Sequence, residues 1–137
     1  MGYKKMNIKS IDHIVLTVKS IKKSLDFYVN VLNMQKIEFK KGKDKRYAIK
    51  FGNMKINLHE TDHEFEPKAH LPTPGSEDFC LITKTPIEEV ITELKNKNIK
   101  IIEGPETNPG ALGAITSIYL RDPDKNLVEI SNYKNIH

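Results

Sequence analysis

The sequence contains no tryptophan, a single cysteine, few aromatic residues and no long apolar run. Each shortage excludes something. One thiol, Cys80, cannot build an intramolecular disulfide framework and suits a reducing compartment. Its setting in FCLIT predicts a buried, inert thiol. No apolar segment approaches the roughly 20 residues that a spanning helix needs. The opening MGYKKMNIKS carries lysines but no apolar core of signal-peptide length. These features predict a cytoplasmic protein with no membrane partner. Charge of either sign is not in large excess: the net value is +4, too small to predict nucleic-acid binding, and the basic cluster lacks interleaved aromatics for stacking bases. That cluster, Lys36 to Arg46, reads as a hairpin tip around Gly42, with lysines guarding a sheet edge.

What is present is a chain of 137 residues, enough for one domain with a real core. Ile11–Val18 is rich in β-branched residues and reads as a strand. Ser20 is placed to cap a helix over 21–32, whose apolar face is Ile21, Leu25, Tyr28, Val29 and Leu32. Strands follow near 36–40, 45–51 and 55–60, with a tight turn at Gly52-Asn53. The Pro-rich segment 61–75 reads as a long loop. The order then restarts: strand 76–83, a helix capped by Thr85 with Pro86 at its first position and Glu88 in capping-box position, a short strand 100–102, a Gly/Pro-rich loop 103–113, and paired strands 114–121 and 126–131. In the turn between them, Asp122-Pro123-Asp124-Lys125-Asn126 is turn chemistry.

The halves are an internal repeat. IDHIVLTVKSIKKSLDFY lies over SEDFCLITKTPIEEVITE without gaps, Ile11 on Ser76. Neither half buries its apolar face alone, so an α+β fold is expected, its helices outside and its two sheets around a shared cleft. The alignment sets His13 over Asp78, and INL (56–58) over VEI (128–130) sets Asn57 over Glu129, with His59 further along the same face. Strand side chains alternate between faces, so all four equivalent positions carry polar groups where core packing would demand apolar ones. Such groups must be paired, metal-bound or exposed to a watery cleft. Histidines and carboxylates converging from separate strands suit a divalent ion such as Zn, Ni, Mn or Fe. His63, His70 and His137, in loop or tail, read as ordinary surface histidines.

DHIVLTVKSIKKSLDFY followed by VLNM resembles the opening of the vicinal oxygen chelate superfamily (glyoxalase I, bleomycin-resistance proteins and extradiol dioxygenases). SIYLRDPDKNLVEIS resembles its closing Asp-Pro-Asp, turn, Glu signature. The middle, KINLHETDHEFEPKAHLPTPGSEDFCLIT, is similar to the glyoxalase domain-containing protein 5 type within the glyoxalase I family. The resemblance implies two βαβββ modules in one domain over 1–137: module one about 8–61, a linker 62–75 and module two about 76–133, with a cleft between curved sheets. It implies metal ligands at His13 and Glu129, which match the family's slots. Asn57 and Asp78 depart from the family's Glu and His; His59 is the substitute for the former, and Asp is itself an oxygen ligand. The implied set is His13, His59, Asp78 and Glu129, with Glu129 doubling as catalytic base. The implied function is a small metal-dependent lyase or isomerase acting on a small oxygenated or electrophilic metabolite, lactoylglutathione-lyase-like, with a glutathione adduct as one form of substrate. A non-catalytic sequestering protein of bleomycin-resistance type and a dioxygenase or thiol-transferring resistance enzyme are the alternatives. A homodimer and no nucleic-acid partner are implied. The loops 61–75 and 103–113 are expected to shape the cleft.

Overall fold

The computed structural model describes Gly2 and residues 4–134; His137 lies outside them. The elements run β1 (His13–Val18), α1 (Ile21–Leu25) continuing into wider π-helical turns over Asp26–Val31, β2 (Gln35–Lys41), β3 (Asp44–Phe51), β4 (Met54–Glu60), β5 (Asp78–Ile82), α2 (Ile87–Asn96), β6 (Glu103–Gly110), β7 (Gly113–Arg121) and β8 (Leu127–Tyr133). Two four-stranded sheets result, ordered β1-β4-β3-β2 and β5-β8-β7-β6. In each, the first and last strands of the half pair in parallel, and the rest are antiparallel hairpins. The repeat is therefore borne out as two copies of one βαβββ topology.

Alternation divides each sheet into a core face and an open face. On the core faces Leu16, Val18, Ile49, Ile56 and Leu58 of the first sheet, and Ile118, Leu120, Val128 and Ile130 of the second, join Phe27, Tyr28, Ile87 and Leu94 in one buried cluster. Register confirms the alignment of the halves: Val15 pairs with Asn57 as Cys80 pairs with Glu129.

The turn at 122–126 ties the halves together. Asp122 Oδ1 accepts from the backbone N–H groups of Asp124 and Asn126, both at 2.9 Å. Its Oδ2 accepts from Asn126 Nδ2 at 2.8 Å and from the Tyr28 hydroxyl of module one at 2.7 Å. Asp124 Oδ1 accepts from Lys19 N–H at 3.1 Å. Asn126 Oδ1 accepts from Glu77 N–H at 2.8 Å, which fixes the end of the linker. Gly75, at φ +83°, passes so close that a Cβ would lie 2.7 Å from Asp124 O. Burial and the Asp122 carboxylate push the Tyr28 hydroxyl well above its ordinary pKa, so it stays a donor. A second tie joins Lys97 Nζ to Val31 O at 2.8 Å and Asn33 Nδ2 to Glu93 at 2.7 Å.

Several local expectations are corrected. The first helix is not α-helical throughout: after Leu25 it widens, with Leu32 N–H reaching Phe27 O, and both Phe27 and its neighbour Tyr28 are buried. Ser20 does cap it, accepting from Lys23 N–H. Thr85 does not cap α2. Asn132, arriving on β8, does so instead, accepting from Ile87 N–H at 2.8 Å while its Nδ2 donates to Thr83 O and Thr85 O. The strand expected at 100–102 and the loop at 103–113 are replaced by β6. Pro105 and Pro109 supply no N–H, yet β6 is the outer strand of its sheet and its register is interrupted between Glu103 and Glu106, a position that tolerates both. Cys80 is exposed, not buried, because alternation gives the core face to Phe79 and Leu81.

Asp122 is the network's centre. Tyr28→Phe, losing one bond to a charged group, is expected to cost about 2 kcal/mol. Asp122→Ala, which orphans several buried donors at once, is expected to cost at least about 3 kcal/mol. Urea unfolding of the two variants beside the wild type checks the order.

Candidate functional site

The open face of the second sheet gathers the chemistry. Glu129 on β8 is half-buried. It lies beside Cys80 of β5 and Tyr119 of β7 in register. Asn108, on the β6 that replaced the expected loop, donates to the Tyr119 hydroxyl oxygen at 2.8 Å and at longer range, 3.4 Å, to Glu129 Oε2. Ser131 Oγ also donates to Glu129 Oε2 at 3.4 Å. Ser131 bonds to buried Ser117 at 2.7 Å and lies 3.2 Å from Cys80 Sγ. No lysine or arginine forms an ion pair with Glu129 among the described residues.

The electrostatics assign roles. Burial, with the Glu129 and Glu106 carboxylates nearby, raises the Tyr119 pKa, so its hydroxyl keeps its proton. Cys80 is exposed as a residue, but partial desolvation of its sulfur raises its pKa as well, so it stays a thiol and is a poor nucleophile near neutrality. Glu106 shares a proton-favouring contact with Glu103, which lifts it above the ordinary carboxylate range. Glu129 is thus a weakly bonded carboxylate contacted by neutral hydrogen-bonding groups, with the Glu106 carboxylate nearby.

The first sheet carries the other expected residues. His13 is exposed, and Asp12 Oδ1 lies 2.8 Å from its Nδ1. Asn57 Oδ1 is buried without a hydrogen-bond partner among the described residues. His59 is buried. Its ring meets Phe65 edge-on at 5.3 Å between centroids, and the Arg46 guanidinium stacks on Phe65 at 3.9 Å. Burial first, then the Arg46 charge, lower the His59 pKa below its ordinary 6.5. Asp78 is exposed, on the same face of the second sheet as Glu129.

Thus His13 and His59 stand on one sheet, Asp78 and Glu129 on the other. Among the described residues no three His, Cys, Asp or Glu side chains lie where they would hold one metal ion. A single chain does not fit the metal that the resemblance implies. Asn108, Tyr119, Ser117 and Ser131 were not singled out in the sequence. Their only signal is register, which needs β6 recognised as a strand and the β7–β8 pairing fixed.

Residues 10–130 match the family described as the Glyoxalase/Bleomycin resistance protein/Dioxygenase superfamily. The chain belongs to that superfamily. Among its relatives, virulence protein STM3117 of Salmonella typhimurium is 52% identical over 128 residues, covering 93% of this chain and 87% of the relative. Glyoxalase domain-containing protein RDO1 of Mycosarcoma maydis is 42% identical, covering 96% and 73%. The crystal structure of the Salmonella protein superposes with a TM-score of 0.89 over 93% of this chain and 99% of that one. An integron cassette protein from Vibrio cholerae, 45% identical, reaches 0.90 over 96% and 100%. The superfamily's fold is thus shared along nearly the whole chain. No helix among the described residues is long and apolar enough to cross a membrane.

The lowered His59 pKa has a stability consequence. The unfolded chain takes up this proton near pH 6.5, while the folded chain resists it until lower pH. The contribution of neutral His59 is complete above about pH 6.5 and is lost as pH falls through that value toward the folded pKa. Unfolding free energies measured from pH 7.5 down to pH 5 are expected to decline less steeply in His59→Leu than in the wild type.

Proposed function

We propose that this protein handles a small oxygenated or electrophilic molecule at the open face of its second sheet, with Glu129 as general base, in a lyase or isomerase reaction of glyoxalase I type. The finer kinship with glyoxalase domain-containing protein 5 belongs to this reading. The observation that carries it is the setting of Glu129: a half-buried carboxylate held only by long hydrogen bonds, unpaired with any cation among the described residues, and flanked by groups that donate without carrying charge.

The chemistry follows from that setting. A ligand whose carbonyl approaches Asn108 and Tyr119 presents the adjacent C–H to Glu129. The carboxylate takes the proton, the C–H electron pair moves into the carbonyl, and negative charge develops on oxygen. Asn108 Nδ2–H and the Tyr119 hydroxyl are donors suited to that oxyanion. In an α-hydroxycarbonyl the hydroxyl proton then passes to that oxyanion and the Glu129 proton returns to the former carbonyl carbon, so that carbonyl and hydroxyl exchange carbons with no net change in the enzyme. Cys80, kept as a thiol, adds a small polarisable wall.

A second reading keeps the divalent ion. It rests on His13, whose Nδ1 is engaged by Asp12 in the manner of outer carboxylates that orient a ligating imidazole, leaving the other ring nitrogen for an ion. The single chain does not complete the set of His13, His59, Asp78 and Glu129, so this reading requires a homodimer in which one copy's first sheet faces the other's second. Bound there, an ion would supply Lewis-acid stabilisation of developing oxyanions.

Glu129→Gln is expected to lower turnover of the hemithioacetal of methylglyoxal and glutathione, or of another α-hydroxycarbonyl that proves to be a substrate, by about 10²-fold or more, the usual scale for a positioned base, while the unfolding midpoint changes little. Full turnover in the variant would remove Glu129 from the chemistry. Metal content of protein purified without chelator separates the two readings. About one ion per chain, lost in His13→Ala, supports the second; a metal-free and active protein supports the first.

A further inference from the structure

The stretch before β1 is apolar and uncovered. Residues 4–12 form neither helix nor strand, and among the described residues 4–11 make no hydrogen bond or ion pair. Yet Met6 is 84% exposed, Ile8 76% and Ile11 61%. Three of the eight large apolar side chains exposed among the described residues thus fall in one short segment. Apolar groups scattered singly over a surface are ordinary, but a contiguous uncovered set marks a contact surface.

Charge selects the cover. Lys4, Lys5 and Lys9 are interspersed with those apolar groups and are exposed. The end of the first sheet from which the segment emerges continues the charge, since His13 pairs with Lys55 and Lys55 with Lys50. Neither of these lysines has a carboxylate partner among the described residues. Asp12, the segment's one acid, is turned to His13. The modest net charge of the chain hides this asymmetry: residues 1–61 hold fourteen basic and five acidic side chains, residues 62–137 eight and thirteen.

A nucleic acid would engage the lysines but leave Met6 and Ile8 uncovered, and the segment has no aromatic ring to stack on a base. A second copy brought up segment against segment would set lysine against lysine. An anionic lipid surface engages both sets, its headgroups the lysines and its interfacial zone the apolar side chains. The expectation of no membrane partner followed from the lack of a spanning segment, which a surface contact does not need.

We propose that residues 4–11, backed by Lys50 and Lys55, form a reversible docking surface for an anionic lipid leaflet. So few apolar groups do not anchor a protein stably, so the contact is weak and salt-sensitive. Glu129 has no part in it, and the proposal stands independently of the base assigned above.

Sedimentation of the full chain with vesicles of phosphatidylcholine containing about 30% phosphatidylserine, beside vesicles of phosphatidylcholine alone, tests it. Binding to the anionic vesicles alone is expected, weakening about ten-fold or more between roughly 0.05 and 0.3 M salt. Lys4→Gln/Lys5→Gln/Lys9→Gln should weaken it about a hundred-fold, the scale of three lysines near such a surface. Met6→Ser/Ile8→Ser should weaken it about ten-fold. Leu112→Ser, a change at an equally exposed apolar residue of the β6–β7 turn, and Glu129→Gln should bind as the wild type does. Equal sedimentation with both vesicle types, none with the anionic vesicles at low salt, or indifference to both segment variants would overturn the proposal. So would a chain that ignores the vesicles but loses self-association on Met6→Ser/Ile8→Ser, which would give the segment to a second copy.

Discussion

The Asp122 carboxylate is the constraint on which the arrangement of the two halves depends. Four donors converge on its two oxygens, three of them from its own turn and one from a tyrosine 94 residues earlier. A buried carboxylate is tolerable only when satisfied this fully. The same turn receives Lys19 through Asp124 and the linker end through Asn126. Helix one, the linker and the last hairpin of module two are therefore positioned by one short stretch of polar chain. Apolar packing at the junction supplies area, but the turn supplies direction.

Duplication has produced two sheets of one topology whose open faces now differ in chemistry. Equivalent positions hold Val15 with Asn57 in one and Cys80 with Glu129 in the other. On the first sheet, Lys55 lies over Phe39 and Arg46 over Phe65, and the linker folds across β1 and β4. On the second, Glu103, Glu106 and Glu129 stand among hydroxyls and an amide. One face has become aromatic, basic and roofed; the other acidic and open. A repeat that keeps its core positions while exchanging its open-face positions separates stability from chemistry, because alternation puts the two sets on opposite sides of each strand.

Much of this was legible in the sequence because it depends on short-range pattern. The repeat, the strand faces, the Ser20 cap and the polar turn at 122–126 all follow from periodicity and local side-chain chemistry. What was hidden depends on partners distant in sequence. Asn132 caps a helix 45 residues earlier, so Thr85 looked like the better cap. β6 reads as loop because its glycines and prolines suppress strand propensity, and only its place at the sheet's outer edge makes it a strand. Missing β6 hid Asn108, and with it the groups surrounding Glu129. The family resemblance implied roles for His13 and Glu129, and the repeat already assigned them to different modules; that the two open faces do not gather their side chains within one chain depends on how the sheets are set, which no one-dimensional pattern reveals.

The remote cap on α2 also bears on how the molecule is made. During synthesis from the N-terminus, Ile87 N–H and the carbonyls of Thr83 and Thr85 emerge well before Asn132, and Tyr28 well before Asp122. Both parallel pairings, β1 with β4 and β5 with β8, also wait for the later strand. Nascent module one can close its own sheet, yet its tyrosine hydroxyl stays hydrated until the final hairpin exists. The turn at 122–126 and β8 after it thus hold helices in both halves, and such dependence on distant pairings slows folding relative to locally connected folds.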